Sequence, residues 1–247
     1  MSAFEKHGIR HLSASSLGLW RENPGLWSLK YLGGMKDDAG PAAWRGSAVE
    51  GGMLALLHGR ELAEAKEKAL SAFDATCQGE LSDEIAAERA LISPMLDVIA
   101  TMPKQPSPLV ASQIKVECWL DEVDAPLIGY IDFVFEDGTV LDLKTTKACP
   151  SSAKAPHVRQ VSAYMLARRT DLGGLVYVTG KKFANYGITP EERDFAIKDL
   201  TRDALSLQRF LERFDTPMQA MDVLPMNTDD FRWSDAATEF LMKLEAA

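Results

Sequence analysis

The sequence predicts an α/β fold: a central mixed sheet made of an antiparallel meander plus one crossover strand, flanked by helices, with helical N- and C-terminal additions. Three observations predict it. Residues 42–101 repeat apolar side chains at helical spacing. Three strand-like runs then follow closely, SQIKVECWL (112–120), LIGYIDFVF (127–135) and TVLDLKTT (139–146). A helical run, HVRQVSAYMLARR (157–169), separates these from the apolar strand GLVYVTG (174–180), which makes that last connection a crossover.

In chain order, Ser13 caps a short helix through Leu19–Trp20, and Asn23-Pro24 breaks it. A loop rich in Gly and Asp spans Gly33 to Gly40. Residues 42–76 read as one helix on the spacing of Val49, Met53, Leu56 and Leu57, weakened by Gly51-Gly52. Residues 83–101 are helical with a break at Ser93-Pro94, and the prolines at 103, 106 and 108 mark a connector. After the strands and the crossover, Thr189, Pro190 and Glu192 form a helix start: a cap, a first-turn proline and a capping-box glutamate. Two C-terminal helices are expected near 190–213 and 233–246.

The 247 residues favour one elaborated domain (1–247) with a core of about 42–180 and a helical extension over 181–247. With 46% hydrophobic and 26% charged residues, the composition is that of a globular protein and argues against long disorder or a coiled coil. No apolar run is long enough for a membrane span, and MSAFEKHGIR has no apolar segment of a secretory signal. Three scattered cysteines (Cys77, Cys118, Cys149) without a C-x-x-C disfavour a disulfide framework or zinc ribbon and point to a reducing cytoplasm. The net charge of −9 speaks against coating nucleic acid by bulk charge. Residues 141–169, however, hold six basic groups against one acidic, a local field suited to a directed phosphate contact or simply a solvated face.

The hairpin at 127–146 carries the chemistry. Residues two apart on a strand share a face, so Asp142 and Lys144 project together with Leu143 opposite. A two-residue Asp-Gly turn pairs residue 132 with 143. A three-residue loop, Glu136-Asp137-Gly138 with Gly138 left-handed, pairs Asp132 with Asp142. The second register is favoured, because the first aims Asp132 at the apolar face beside Leu143. It sets two carboxylates and an ammonium on one face. Like charges side by side destabilise unless offset, and a hard divalent cation such as Mg²⁺ or Mn²⁺ offsets them. Metal-assisted phosphodiester hydrolysis is the minimal chemistry, and a surface Asp–Lys pair the plain alternative. On the following helix Gln160 and Tyr164 share a face at i, i+4.

G-Y-I-D (129–132), D-L-K-T-T (142–146) and Q-V-S-A-Y (160–164) together resemble the PD-(D/E)XK nuclease superfamily, and more narrowly its RecB-like branch, as found in many phage exonucleases. The opening L-S-A-S-S-L, the following N-P and L-K-Y-L are similar to that branch's first segment, so the resemblance runs from about residue 11 to 180. It implies a restriction-endonuclease-like core in which Asp132 and Asp142 bind metal, with the Leu143 carbonyl as a further ligand. Lys144 becomes the catalytic lysine, and Gln160 and Tyr164 line the site and position DNA. Where the family presents histidine in G-x-x-x-H, this chain has G-S-A-V-E (46–50), so Glu50 takes that place and the donor set is all oxygen. Many relatives have Cys-Pro where Asn23-Pro24 stands here and close an iron–sulfur cluster with C-terminal cysteines. No cysteine follows Cys149, so no cluster is expected.

The resemblance thus implies a Mg²⁺- or Mn²⁺-dependent deoxyribonuclease, exonuclease rather than endonuclease, of phage-type recombination or repair. Its partners are DNA and a single-strand annealing protein, with a homo-oligomer left open and no membrane. The rivals are a catalytically silent DNA-binding or scaffold domain, and an interaction module whose acidic 37–140 region binds a basic partner. Lys147 and Arg159, with His157, Lys154, Arg168 and Arg169, are candidates for phosphate contact, and Ser13 and Ser15 for caps or phosphate contacts. Trp20, Trp27, Trp44 and Tyr31 suit core packing or base stacking. His7, His11 and His58 show no ligand spacing, and no G-x-x-x-x-G-K occurs, so NTPase activity is not expected.

Overall fold

The computed structural model describes residues 1–36, 39–80 and 82–246. Its centre is a five-stranded mixed sheet, in the order β1 (Leu109–Cys118), β2 (Leu127–Phe135), β3 (Val140–Thr145), β4 (Gly173–Val178) and β5 (Phe183–Gly187). β1–β2–β3 is an antiparallel meander, β4 joins β3 in parallel after a helical crossover, and β5 returns antiparallel to β4. The predicted α/β architecture, a restriction-endonuclease-like core, is therefore present with one strand added. The turn Glu136-Asp137-Gly138 is the three-residue loop: Gly138 has φ +88°, and Phe133 pairs with Leu141 and Val134 with Val140.

Both faces of the sheet are covered. Phe133, Phe135, Leu141, Leu143 and Val176 meet Val49, Met53, Phe73 and Leu96 from α4 (Pro41–Leu57), α5 (Leu62–Cys77) and α7 (Ile92–Ala100), with α6 (Asp83–Ala90) beside them. Ile131, Val134, Val140, Leu175 and Tyr177 meet Val161, Tyr164 and Met165 of α8 (Ala155–Arg168) on the other face. Burying a side chain the size of Phe73 or Leu96 contributes about 2–3 kcal/mol each.

Several boundaries differ from expectation. The single helix expected over 42–76 is two, α4 and α5, separated at His58-Gly59, where Gly59 is left-handed with φ +77°. Gly51-Gly52 stays inside α4. A Cβ on Gly52 would lie 2.6 Å from Leu96 Cδ2, so glycine there lets α4 and α7 close together. The second helical stretch breaks at Leu91, not at Ser93-Pro94. Pro94 sits in the first turn of α7, where a missing N–H leaves no bond unmade. The short helices α1 (Ala3–Lys6) and α10 (Pro217–Met221) and strand β5 were not foreseen.

At the N-terminus Ser13 caps α2 (Ala14–Glu22) by accepting from the Ser16 N–H. Asn23 ends that helix and caps α3 (Pro24–Tyr31), whose first residue is Pro24. The loop predicted over Gly33 to Gly40 has two residues, 37 and 38, outside the described ones. Trp20 and Trp27 stand edge to face at 5.3 Å between ring centres, in a core shared with Leu200 and Leu207 of α9 (Pro190–Leu211). Trp44 packs edge-on against Phe73, so these three tryptophans serve packing. The segment between α10 and α11 (Asp235–Glu245) returns to this N-terminal corner: the Asn23 side-chain amide donates to the Asn227 carbonyl at 3.0 Å and Arg232 donates to Glu22 at 2.6 Å. A Cβ on Gly25 would fall 2.4 Å from the Pro225 carbonyl oxygen, so the returning chain lies directly on the corner.

Candidate active site

The β2–β3 ladder is irregular where the acidic residues sit. Beyond the Phe133–Leu141 pair, the Leu143 N–H donates not to a strand carbonyl but to Asp132 Oδ2, at 2.8 Å. That bond anchors the Asp132 carboxylate against β3. Asp142 and Lys144 lie on the α8 side, away from Leu141 and Leu143, as alternation requires. Lys144 Nζ is 2.8 Å from Asp142 Oδ2, an ion pair outside hydrogen-bond geometry. It donates to Gln160 Oε1 at 2.9 Å, and Gln160 Nε2 donates to the Tyr164 hydroxyl at 2.7 Å. The i, i+4 pair on α8 is thus a relay that holds the ammonium in place. Gly129 makes room for it, since a Cβ there would lie 2.4 Å from Tyr164 Cε1.

Glu50 reaches the cluster from α4. The Gln113 side chain of β1 stands between Glu50 and Asp132: its Nε2 donates to Glu50 Oε1 and to Asp132 Oδ1, the second at 3.2 Å. Burial raises all three carboxyl pKa values. Asp132 is raised first by burial, then by the charges of Asp142 and Glu50, against the Leu143 N–H and Lys144. Asp142 is raised by burial against the pull of Lys144, and Glu50 by burial against the Gln113 bond. Burial, then Asp142, raises the Tyr164 hydroxyl, which stays a phenol at neutral pH.

Asp142 is the informative member. Its residue is 1% exposed, and its Oδ1 has no polar partner among the described residues. A buried carboxylate oxygen without a donor is costly. Three carboxylates around one ammonium, all oxygen donors, match what a hard divalent cation accepts. Nowhere among the described residues are three His, Cys, Asp or Glu groups closed up tightly enough to hold an ion as they stand. In this cluster the Gln113 amide stands between two of the three.

The cluster lies where two clefts meet. A cleft of about 270 Å³ on one side is lined by Gln113, Tyr130, Asp132, Gln160 and Tyr164, with Ser13 and Ser15 at its edge. A cleft of about 650 Å³ on the other is lined by Lys144, Gln160, His157, Lys30, Tyr31 and Arg232. Gln113 and Tyr130 were missed by sequence reasoning. Tyr130, 54% exposed, stands two residues before Asp132 in an alternating strand, and that spacing was the available signal. Gln113 had none, because the β1–β2 register follows from an irregular eight-residue connection (119–126).

The remaining candidates separate. Ser13 Oγ caps α2 and lies 3.0 Å from Ser15 Oγ, so both stand at the cleft. Lys147, its side chain 78% exposed, pairs with Glu88 at 3.1 Å, the partner of the buried Arg45. Arg159 is a correction: it is 5% exposed and pairs with Asp199, so its guanidinium is packed inside and not offered to phosphate. His157 is another. Burial, then Lys144 and Lys154, pushes its pKa down to about 4, so it is neutral, and its Nδ1 lies 2.7 Å from the Tyr177 hydroxyl. No helix among the described residues is long and apolar enough to cross a membrane.

The family model of the PD-(D/E)XK nuclease superfamily matches residues 11–233. No curated protein matches the chain. Among solved structures, a protein from Eubacterium rectale named as a candidate exonuclease is 14% identical over 93% of this chain and 88% of its own, with a TM-score of 0.56, a likeness of fold. The crystal structure of SSO0001 is 22% identical over 40% of this chain and has a TM-score of 0.33; the match spans half of that protein's length.

Proposed function

The chain belongs to the PD-(D/E)XK nuclease superfamily, whose members are hydrolases of nucleic acid, and from there we propose that it is a Mg²⁺- or Mn²⁺-dependent deoxyribonuclease acting as an exonuclease. The observation that carries the proposal is the buried Asp142 carboxylate with its unpartnered oxygen, beside two further carboxylates and one ammonium. Glu50, Asp132 and Asp142, with the Leu143 carbonyl, would hold the cation. When bound, it supplies Lewis acidity, activating a water and neutralising charge on the phosphorus centre and leaving oxygen.

The rest is done by the chain's own side chains. Lys144 carries the positive charge of the site and is held by Asp142 and Gln160, so it is oriented before substrate arrives. It donates a hydrogen bond to the attacking water or to a phosphoryl oxygen. Gln160 and Tyr164 fix that ammonium and line the cleft where the strand passes. Tyr130, exposed on the same cleft, offers a face for a base.

The exonuclease mode is supported by the name of the Eubacterium rectale protein and by the RecB-like resemblance. A phage-type role in recombination or repair, an annealing-protein partner, a homo-oligomer and a cytoplasmic location rest on the resemblance and composition alone. In this proposal the whole chain, 1–247, is one nuclease domain. The test is digestion of end-labelled single- and double-stranded DNA with Mg²⁺, Mn²⁺ or EDTA. Progressive loss from an end, only with metal, is the expected result. Cleavage that persists in EDTA, or none with either metal, overturns the proposal.

A further inference from the structure

Gln113 is the residue that the hydrolytic chemistry above leaves without a task. Three observations single it out. Its side-chain amide touches two of the three carboxylates, Glu50 and Asp132, at once. Its backbone is left-handed, φ +51°, inside a strand where every other described residue of β1 has an ordinary φ. The β1–β2 register, Ser112 with Phe133 and Ile114 with Ile131, sets Gln113 opposite Asp132. A left-handed non-glycine costs on the order of 1 kcal/mol and persists only where surrounding contacts hold it. Here those contacts are the two acids.

A carboxamide has two opposite ends on one planar group. Its NH₂ donates to carboxylates. Its oxygen is a neutral, hard donor, of the kind that completes the shell of Mg²⁺, Mn²⁺ or Ca²⁺. A half-turn about the last side-chain bond exchanges the ends without moving the backbone. The unpartnered Oδ1 of Asp142 shows independently that the cluster lacks a positive partner on that side. Three carboxylates already bring more negative charge than one divalent cation needs. A neutral oxygen adds coordination without adding repulsion.

We propose that Gln113 is a fourth member of the cation site: its amide nitrogen spaces Glu50 from Asp132, and its amide oxygen is a ligand for the divalent cation. The proposal rests on the cation reading of Glu50, Asp132 and Asp142, and it goes beyond that reading by adding a ligand from β1.

The test measures Mn²⁺ binding to the purified full-length protein without DNA, by the electron paramagnetic resonance of free Mn²⁺. Gln113→Leu keeps a side chain of comparable bulk and removes the oxygen; its dissociation constant should rise at least about tenfold. Gln113→Glu restores an oxygen donor and should bind Mn²⁺ at least as tightly as wild type. Without metal it should melt at a lower temperature, because a fourth acid joins the cluster. Asp142→Asn should lose binding. If Gln113→Leu binds Mn²⁺ within twofold of wild type while Asp142→Asn does not bind, Gln113 is no ligand and the cation site stands without it. If Asp142→Asn also binds as wild type, the cation reading falls and takes this proposal with it. Should Gln113→Leu not fold, Gln113→Glu decides: weaker Mn²⁺ binding than wild type overturns the proposal.

Discussion

Two partly buried charge clusters of this protein use the same residue types to opposite ends. In one, Arg21 and Arg159 meet Asp199 and Asp203 where α2, α8 and α9 join: Arg21 is 2.7 Å from Asp199 and 2.8 Å from Asp203, and Arg159 is 3.3 Å from Asp199. Charges match, two against two. Arg21 holds the Asp199 carboxyl below its ordinary range, while burial raises Asp203 against the pull of Arg21. In the other, Glu50, Asp132 and Asp142 face Lys144, and burial raises all three acids. The balanced cluster neutralises its charge from within and serves the fold. The unbalanced one asks for positive charge from outside, and such local conflict makes it the candidate site.

The contrast is open to experiment, most sharply at Asp142. Asp142→Asn should reduce DNA cleavage on the order of a thousandfold in a metal-dependent assay, with a melting temperature no lower than wild type, because it removes repulsion from a buried site. A large fall in melting temperature would place Asp142 with the structural cluster. Asp199→Ala should do the reverse. Leaving Arg159 buried without its carboxylate costs on the order of 3 kcal/mol in urea unfolding, while activity per folded molecule stays near wild type. An undisturbed unfolding midpoint would deny that cluster its structural role.

Gly129→Ala reaches the site through Tyr164. The new methyl overlaps the ring, so a loss of about 1–3 kcal/mol in stability is expected. A fall of roughly ten- to a hundredfold in kcat should accompany it, as the Tyr164–Gln160–Lys144 relay shifts. Equal kcat in the two proteins would show that the relay does not position Lys144.

The smallest effect belongs to His157, whose pKa is lowered from 6.5 to about 4. Because the folded state disfavours the proton, the contribution of His157 is complete above pH 6.5 and is lost as pH falls towards 4. His157→Asn should therefore flatten the stability profile across that window. An unchanged slope would assign the acid sensitivity to other groups.

The legible parts of this molecule were those governed by local rules. The hairpin register followed from counting residues around a glycine that must be left-handed, and it placed Asp132 near Asp142 before any coordinates. The Ser13 and Thr189 caps followed from hydrogen-bond chemistry at helix ends. What escaped depended on distant partners. β5, with Lys181-Lys182 before it and Asn185 within it, is a strand because β4 offers an edge. Arg159 looks like a phosphate contact until α9 supplies Asp199. Gln113 gains meaning only once β1 lies beside β2 and α4 lies over both.

The return of the C-terminal segment onto the Asn23–Pro24 corner has a consequence in time. Arg232 lines the larger cleft and is pinned there by Glu22 and Asp230. During synthesis that wall stays missing until the ribosome has released residue 232. A growing polypeptide already holds Glu50, Asp132, Asp142 and Lys144 long before then, yet lacks one wall of the cleft beside them. In order of manufacture, this wall of the cleft therefore comes after the acidic cluster it stands beside.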